Sequence, residues 1–279
     1  PVQYAIVSEA GASVYSASKL ASEEFPEYDV NLRSAVSIAR RLQDPLAELV
    51  KIDPKAIGIG QYQHDMPPAR LDAALAGVVE SCVNSVGVDL NTASPSLLGH
   101  IAGINAAIAK NLVAYREENG GFTARPQLLK VPKLGKKAYE QCAGFLRISG
   151  GKNPLDATAV HPESYPIAEG LLTLCGCTLA DIGTDKMKEL PTLAEKMGYK
   201  ALAAQLSAGE PTVRDIIAEL QKPGRDPRES LPPTVLRSDV LEMKDLKPEM
   251  ELTGTVRNVV DFGAFVDIGV HEDGLVHIS

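Results

Sequence analysis

Three segments near the carboxyl end decide the fold of this region: Glu251-Leu-Thr-Gly-Thr-Val-Arg257, Asp261-Phe-Gly-Ala-Phe-Val-Asp-Ile-Gly269 and Asp273-Gly-Leu-Val-His-Ile-Ser279. Each is a short run of β-branched and aromatic residues bounded by glycine or aspartate, which is the pattern of a strand between turns. The sequence therefore predicts three short strands that follow one another closely in a small antiparallel sheet.

Strand alternation sorts the side chains of these segments onto two faces. Ala264, Val266 and Ile268 of the second segment share one face, so Phe265 takes the other. In the third segment Val276 and Ile278 share a face, which puts His277 opposite them. Aromatic and imidazole rings on the outer side of adjacent strands form a platform for stacked bases, worth about 1–3 kcal/mol per base. The alternative is a small barrel whose outer phenylalanine covers a neighbouring domain.

The order of glycines, aromatics and histidine closely resembles the RNA-binding OB-fold module first described in ribosomal protein S-one. The matching residues are Gly254-x-Val256, Phe262-Gly-Ala-Phe265-Val and Gly274-Leu-Val-His277-Ile-Ser279. The resemblance implies that Phe262, Phe265 and His277 face RNA, and Arg257 is expected on the outward side of the first strand. An OB barrel has five strands, so we expect a truncated C-terminal OB-fold β-barrel.

The net charge of −8 and the isoelectric point of about 5.2 do not favour nucleic-acid binding by the chain as a whole. Any polyanion site must therefore rest on local positive charge. Such charge is found between residues 122 and 148, where only Glu140 is acidic. The basic residues there are Arg125, Lys130, Lys133, Lys136, Lys137 and Arg147.

Four cysteines are present, at positions 82, 142, 175 and 177, and none forms a CxxC pair. We expect buried, reduced thiols in a cytoplasmic protein and no metal site. No apolar stretch approaches the roughly 20 residues that span a bilayer, and no secretory signal is visible. The sequence therefore predicts no membrane association.

A degenerate repeat occupies the middle of the chain, with Ile104 and Leu134 in equivalent places. The first copy is a helix begun by Ser94-Pro95, the hairpin Ala102-Gly-Ile-Asn105 and the helix Ala106–Glu118. The second copy is Pro126–Val131, the hairpin Pro132-Lys-Leu-Gly135 and the helix Lys136–Leu146. Short helix, glycine-containing turn and second helix form the helix-hairpin-helix pattern.

Backbone amides exposed in such a hairpin and at the start of the next helix can hold a phosphate oxygen. Each hairpin keeps one of the two usual glycines, Gly103 in the first and Gly135 in the second. The second is the better phosphate site because Lys133, Lys136 and Lys137 flank its turn. The first is closer to structural, and the alternative for both is that the pairs only pack helices.

Catalysis is not expected, although carboxylates are numerous. Glu9, Asp44, Asp53 and Asp65 have no recurring spacing, and the second and third each precede a proline, where capping or turn formation explains them. Two-metal chemistry needs several carboxylates converging on one site. No Walker loop, GxSxG or HExxH motif occurs, and we predict no cofactor. A structure-selective nuclease with Glu9 and Asp65 as metal ligands is the alternative.

The whole chain closely resembles the Tex transcription-accessory family. The matching runs are Glu9-Ala-Gly-Ala-Ser-Val-Tyr-Ser-Ala-Ser18, Ala35-Val-Ser-Ile-Ala-Arg-Arg-Leu-Gln-Asp-Pro-Leu-Ala-Glu-Leu-Val50, Gly60-Gln-Tyr-Gln-His-Asp65, Asn153-Pro-Leu-Asp156 and His161-Pro-Glu163. The resemblance implies a YqgF-type, RNase-H-like α/β remnant without nuclease function, and a cytoplasmic nucleic-acid-binding protein that acts around transcription.

The expected fold is multidomain and mainly α, with five regions. These are the C-terminal part of an RNase-H-like domain (1–66), a long helix with tandem helix-hairpin-helix (67–148), a helical region of little evident chemistry (149–220), a Pro-rich linker (221–247) and the incomplete OB module (248–279).

The predicted function is non-catalytic binding of RNA, with DNA as a second candidate ligand, in transcription or its regulation. An RNA polymerase partner is expected only by analogy, because a transcription-elongation relative has the same domain order. The remaining alternative is a protein-interaction scaffold that docks a polymerase and binds nucleic acid only secondarily.

Overall fold

The computed structural model describes residues 5–57, 63–221, 246–248, 250–252, 254–268, 270 and 273–278. The chain divides into two compact units, one spanning Val7–Pro233 and the other combining Pro1–Ile6 with Thr234–Ser279. Where described, the larger unit is predominantly helical and the smaller one contains a three-stranded sheet. The mainly α, multidomain fold is confirmed.

The described part of the larger unit has twelve α-helices. They are α1 (Ala12–Ser16), α2 (Lys19–Glu24), α3 (Val30–Gln43), α4 (Pro45–Leu49), α5 (Pro68–Val86), α6 (Pro95–Leu98), α7 (Ala106–Asn119), α8 (Lys136–Cys142), α9 (Tyr165–Leu174), α10 (Leu190–Met197), α11 (Tyr199–Gln205) and α12 (Glu210–Leu220). Short 3-10 helices connect several of them, including Arg125–Lys130 before α8.

Side-chain caps begin several of these helices. The Asp44 carboxylate accepts the Ala47 amide at 3.0 Å and the Ser94 hydroxyl accepts the Leu97 amide at 3.2 Å. Each cap satisfies an amide that lacks a partner within the helix. The predicted start of α6 is confirmed, and of the two expected explanations for Asp44, capping and turn formation, capping is the one observed.

The described residues 5–11 form neither a helix nor a strand before α1. Arg41 accounts for the local path, because its Nη1 donates to the carbonyls of Ser8 (2.6 Å) and Ala10 (2.9 Å). A side chain of α3 therefore fixes the path of residues 8–10.

The two hairpins share one apolar core with the end of α5. Its fully buried members include Val83, Leu98, Leu128 and Leu146. Strand β1 (Val88–Asp89) pairs in parallel with β2 (Leu146–Arg147) and closes this core. The predicted helix Lys136–Leu146 is therefore wrong at its end: α8 stops at Cys142, and Leu146 pairs with Val88.

A second apolar core lies under residues 155–220. Its fully buried members include Leu155, Leu171, Leu190 and Leu220, drawn from a 3-10 helix and from α9, α10 and α12. Cys142, Cys175 and Cys177 are buried, whereas Cys82 is exposed on α5. The prediction of four buried thiols is thus wrong for one of them, because only one side of α5 contacts the core.

The smaller unit contains β3 (Thr255–Val260), β4 (Gly263–Asp267) and β5 (Gly274–His277) in the order β3-β4-β5. Both pairings are antiparallel, and a bulge interrupts β3 between Val256 and Asn258. The three predicted strands are confirmed. The predicted linker lies almost entirely outside the described residues. No helix in the described ranges is long and apolar enough to cross a membrane.

Candidate nucleic-acid interface

Three rings gather on one side of the small sheet. The Phe262 ring lies 6.3 Å from the Phe265 ring, edge-on at 85°, and 6.4 Å from the His277 ring, tilted by 30°. Phe262 belongs to the turn between β3 and β4, and its carbonyl accepts the Ile278 amide at 3.0 Å. This hydrogen bond fixes the turn beside the end of β5. We call these three side chains the ring cluster.

Strand register explains why the rings meet. Phe265 pairs with Leu275, and His277 pairs with Gly263 two residues along β4, so both rings project from the same face. Gly263 allows the backbone of β5 to approach closely, because a Cβ at this position would lie 2.3 Å from the Val276 carbonyl oxygen. The predicted alternation is confirmed.

The opposite face carries aliphatic side chains, which are also solvent-exposed. Val259 is 73% exposed, Val276 61% and Ile278 78%, compared with 49% for Phe262. In a closed OB barrel the face opposite the ligand is the interior, which matches these aliphatic side chains. Exposure alone therefore does not distinguish the two faces, whereas the grouping of the rings does.

Arg257 lies in the bulge of β3, beside the ring cluster's face. Its Nη2 donates to Asp267 Oδ2 at 2.7 Å, and this hydrogen bond raises the pKa of the guanidinium. Asp267 pairs with Thr255 and alternates with Val266, which places its carboxylate on the side of Phe265. Arg257 therefore lies near the rings with its charge partly balanced.

Both predicted hairpins have the same turn. A hydrogen bond from Ile104 N to Ile101 O (3.0 Å) closes the first, and one from Leu134 N to Val131 O (3.1 Å) closes the second. The residue before each donor has positive φ: +80° at Gly103 and +68° at Lys133. A lysine in this conformation is strained, because the left-handed region costs a side chain about 1–2 kcal/mol.

We call the second hairpin together with the first two residues of α8, Val131–Lys137, the lysine hairpin. Lys133, Lys136 and Lys137 are exposed, and among the described residues none has a carboxylate partner. No side chain caps the amides that begin α8, and a Cβ on Gly135 would meet nothing within 4 Å. Its amides and cations are therefore open to an anion.

The first hairpin, Ile101–Asn105, uses its polar groups internally. Asn105 Oδ1 accepts the Ile108 amide at 2.9 Å, and Asn84 Oδ1 accepts the Ala102 amide at 3.1 Å. A Cβ on Gly103 would lie 2.8 Å from the Gln141 Cβ. Gly103 thus has a packing reason to be glycine, as the structural alternative expects.

The basic segment is less available than its composition indicates. Arg125 is fully buried and Arg147 is 7% exposed, so neither contributes to a surface patch. The Arg125 guanidinium donates to the carbonyls of Leu146 (2.9 Å), Thr158 (2.5 Å) and Val160 (2.6 Å). The expectation of six available cations is corrected to four: Lys130, Lys133, Lys136 and Lys137.

The carboxylates weighed for catalysis are dispersed. Asp44 caps α4, and Asp53 accepts the Lys55 amide at 2.9 Å. Glu9 and Asp65 are exposed in separate segments. Within the described ranges, no group of three or more His, Cys, Asp or Glu side chains could hold a metal ion.

Four family models match the chain, and the three domain types that were predicted occur among them in the predicted order. They are a Tex protein YqgF-like domain (1–43), a helix-hairpin-helix motif (83–147), an HHH domain (153–228) and an S1 RNA binding domain (245–279). Residues 153–228 are the match that sequence reasoning missed. The signal that could have revealed this match is Ile182-Gly183-Thr184, a turn like those of the two hairpins. Gly183 has φ +87°, and the Thr184 amide donates to the Asp181 carbonyl.

Curated relatives match nearly the whole chain. "Transcriptional accessory protein Tex" of Neisseria gonorrhoeae is 57% identical over 98% of this chain and 35% of the relative. "Protein YhgF" of Escherichia coli K12 is 59% identical over 99% of this chain and 35% of the relative. Human "S1 RNA-binding domain-containing protein 1" is 43% identical over 99% of this chain and 33% of the relative. The chain spans about a third of the length of these relatives.

Proposed function

The chain belongs to the Tex transcription-accessory family, and from that premise we propose that it is a nucleic-acid-binding part of a transcription accessory protein, without catalysis of its own. RNA is the proposed ligand and DNA the second candidate. The S1 RNA binding domain match at 245–279 and the ring cluster within it support this assignment.

The observation that carries the proposal is the grouping of Phe262, Phe265 and His277 on one face. A base has a π-face whatever its identity, so rings presented together favour stacking without sequence preference. Phe262 is half-exposed and can receive a base, while Phe265 supports it from the strand. Arg257, beside them, supplies positive charge for the phosphate chain.

The lysine hairpin adds phosphate contacts in this proposal. Gly135 lets a phosphate approach the amides that begin α8, and Lys133, Lys136 and Lys137 supply charge. Four neutralised phosphates give a slope of about −3 in a plot of log affinity against log salt, at about −0.7 per phosphate for single strands. Gly103 is left out of the site because its turn packs against α8.

Fluorescence anisotropy of a labelled single-stranded RNA with the full chain tests the ring cluster. Phe262→Ala should weaken binding about 5- to 150-fold, as expected for the loss of about 1–3 kcal/mol of stacking. Val259→Ala, an exposed substitution on the opposite face, is the matched control and should change affinity less than twofold. Equal effects of the two variants would refute the assignment of the ring face.

The absence of catalysis is tested separately. The full chain, incubated with branched DNA and with RNA–DNA hybrids plus Mg²⁺ or Mn²⁺, should leave both intact. Cleavage that Glu9→Gln abolishes would show that a carboxylate of the amino-terminal segment acts on a metal, and would replace this proposal with a nuclease.

An RNA polymerase partner and a cytoplasmic location belong to the same proposal. They rest on family membership and on the name "Transcriptional accessory protein Tex" of a relative. Affinity capture after nuclease treatment tests them, because a polymerase held only through RNA is lost while one held by protein contacts remains. Recovery of the chain in a membrane fraction would contradict the location.

A further inference from the structure

One short segment contacts both helices that flank the lysine hairpin. We call this segment, Asp156–Tyr165, the clamp. It begins at the 3-10 helix Pro154–Ala157 and ends at the first residue of α9. It therefore belongs to the region that matches the HHH domain model, whereas the lysine hairpin belongs to the region that matches the helix-hairpin-helix motif.

The helix before the turn is held through Arg125, its first residue. Besides the clamp carbonyls of Thr158 and Val160, the guanidinium donates to the Tyr165 hydroxyl at 2.7 Å. The Arg125 amide donates to Asp156 Oδ2 at 3.1 Å, and the Tyr165 hydroxyl donates to Asp156 Oδ1 at 2.6 Å. A fully buried cation with this many partners fixes its helix firmly.

The helix after the turn, α8, is held through His161. The His161 Nδ1 accepts the Glu163 amide at 3.3 Å, so the ring hydrogen is on Nε2. Nε2 then donates to the Glu140 carbonyl at 3.0 Å, in the last turn of α8. The helices on the two sides of the lysine hairpin are thus each held by hydrogen bonds to residues of the clamp.

The turn at Gly183, in the region after the clamp, has a different charge. It is followed by Asp185, whose carboxylate lies 2.6 Å from Lys188 Nζ. Nearby, Lys186 Nζ bonds Asp181 at 2.9 Å. These cations are already paired with carboxylates, in contrast to the lysines of the lysine hairpin.

We propose that residues 153–221 act as the support of the lysine hairpin, with His161 and Arg125 as the residues that position this hairpin. This inference rests on the proposed function of that hairpin. It assigns to the matched HHH domain a role different from nucleic-acid contact: it sets the position of the amides and lysines that make this contact.

The test measures affinity of the full chain for one labelled single-stranded RNA over a salt series, with each variant's melting temperature recorded. Lys136→Ala should lower the salt slope by about 0.7, while its matched control Lys188→Ala should leave slope and affinity unchanged. His161→Ala should weaken binding severalfold, and His161→Gln, which keeps an N–H donor for the Glu140 carbonyl, should restore most of it.

The double variant His161→Ala with Lys136→Ala decides between positioning and general destabilisation. Positioning predicts that the two losses do not add, because both act on the same phosphate contact. Additive losses, or a Lys188→Ala effect equal to that of Lys136→Ala, would overturn the inference. If Lys136→Ala itself leaves binding unchanged, the proposed role of the lysine hairpin fails instead, which distinguishes the two failures.

Discussion

Replacing Lys133 by glycine should raise stability and lower nucleic-acid affinity together. Lys133 has φ +68°, a conformation that costs a non-glycine residue about 1–2 kcal/mol. Glycine removes this cost but increases the conformational entropy of the unfolded chain, which lowers stability by about 0.4–1 kcal/mol. The side chain is exposed and makes no ion pair among the described residues, so little else is lost. The free energy of unfolding should rise by about 0.5–1 kcal/mol.

The affinity should move in the opposite direction because the same substitution removes one cation from the lysine hairpin. For a single-stranded ligand, one phosphate contact accounts for about 0.7 of the slope of log affinity against log salt. The assays are urea unfolding followed by circular dichroism and anisotropy titrations at several salt concentrations. A strained lysine kept for its contact with phosphate is the physical reason for the opposing effects.

Two controls separate strain from charge. Lys133→Gln keeps the strained backbone and removes the charge, so it should match Lys133→Gly in binding but not in stability. Ser207→Gly relieves a comparable strain at φ +50° far from any proposed contact, so it should gain stability without loss of affinity. If Lys133→Gly destabilises the fold, or leaves the salt slope unchanged, the reasoning about this turn is refuted.

Three further predictions concern the interior and the glycines. Gly103→Ala should lower the melting temperature clearly more than Gly135→Ala, because only the first position combines positive φ with a neighbour at 2.8 Å. Arg125→Met should lower the free energy of unfolding by about 3–5 kcal/mol in urea titrations, because it leaves the buried hydrogen-bond acceptors of Arg125 without a donor. A loss below about 1 kcal/mol would contradict the burial of Arg125. A thiol reagent at pH 8 should label Cys82 but not Cys142, because burial raises the pKa of Cys142 from 9.0 to about 12. Equal labelling of the two thiols would contradict the assignment. Below about pH 9 the Cys142 thiol keeps its proton in both the folded and the unfolded state, so the free energy of unfolding should decline only as the pH rises from about 9 towards 12.

Local sequence was sufficient to predict a feature wherever the interactions that fix it lie within a single helix, strand or turn. Period-two alternation placed Phe265 and His277 on one face of the sheet, and the strand register confirms it. Asp44 and Ser94 were identified as caps because a cap bonds an amide only three residues away. The contact of Phe262 with both rings needed the coordinates, because it depends on how the turn folds back.

Local sequence was insufficient where distant parts of the chain meet. Arg125 was counted with the surface cations, but its three carbonyl acceptors lie 21, 33 and 35 residues further along the chain. The end of α8 was misplaced because Leu146 pairs with Val88, a partner that no helical pattern reveals. In the first hairpin, the Ala102 amide is occupied by Asn84, a residue of a preceding helix that local sequence does not connect with this turn.

By itself, the sequence determined which residues form turns, caps and strand faces, and it carried the family resemblance. These features depend on neighbours within a few positions, whose geometry the backbone fixes. Only the tertiary structure decided which cations remain at the surface and which hairpin keeps its amides open. Those outcomes depend on desolvation and on hydrogen bonds between groups that are remote in the sequence, and such contacts exist only once the chain has packed.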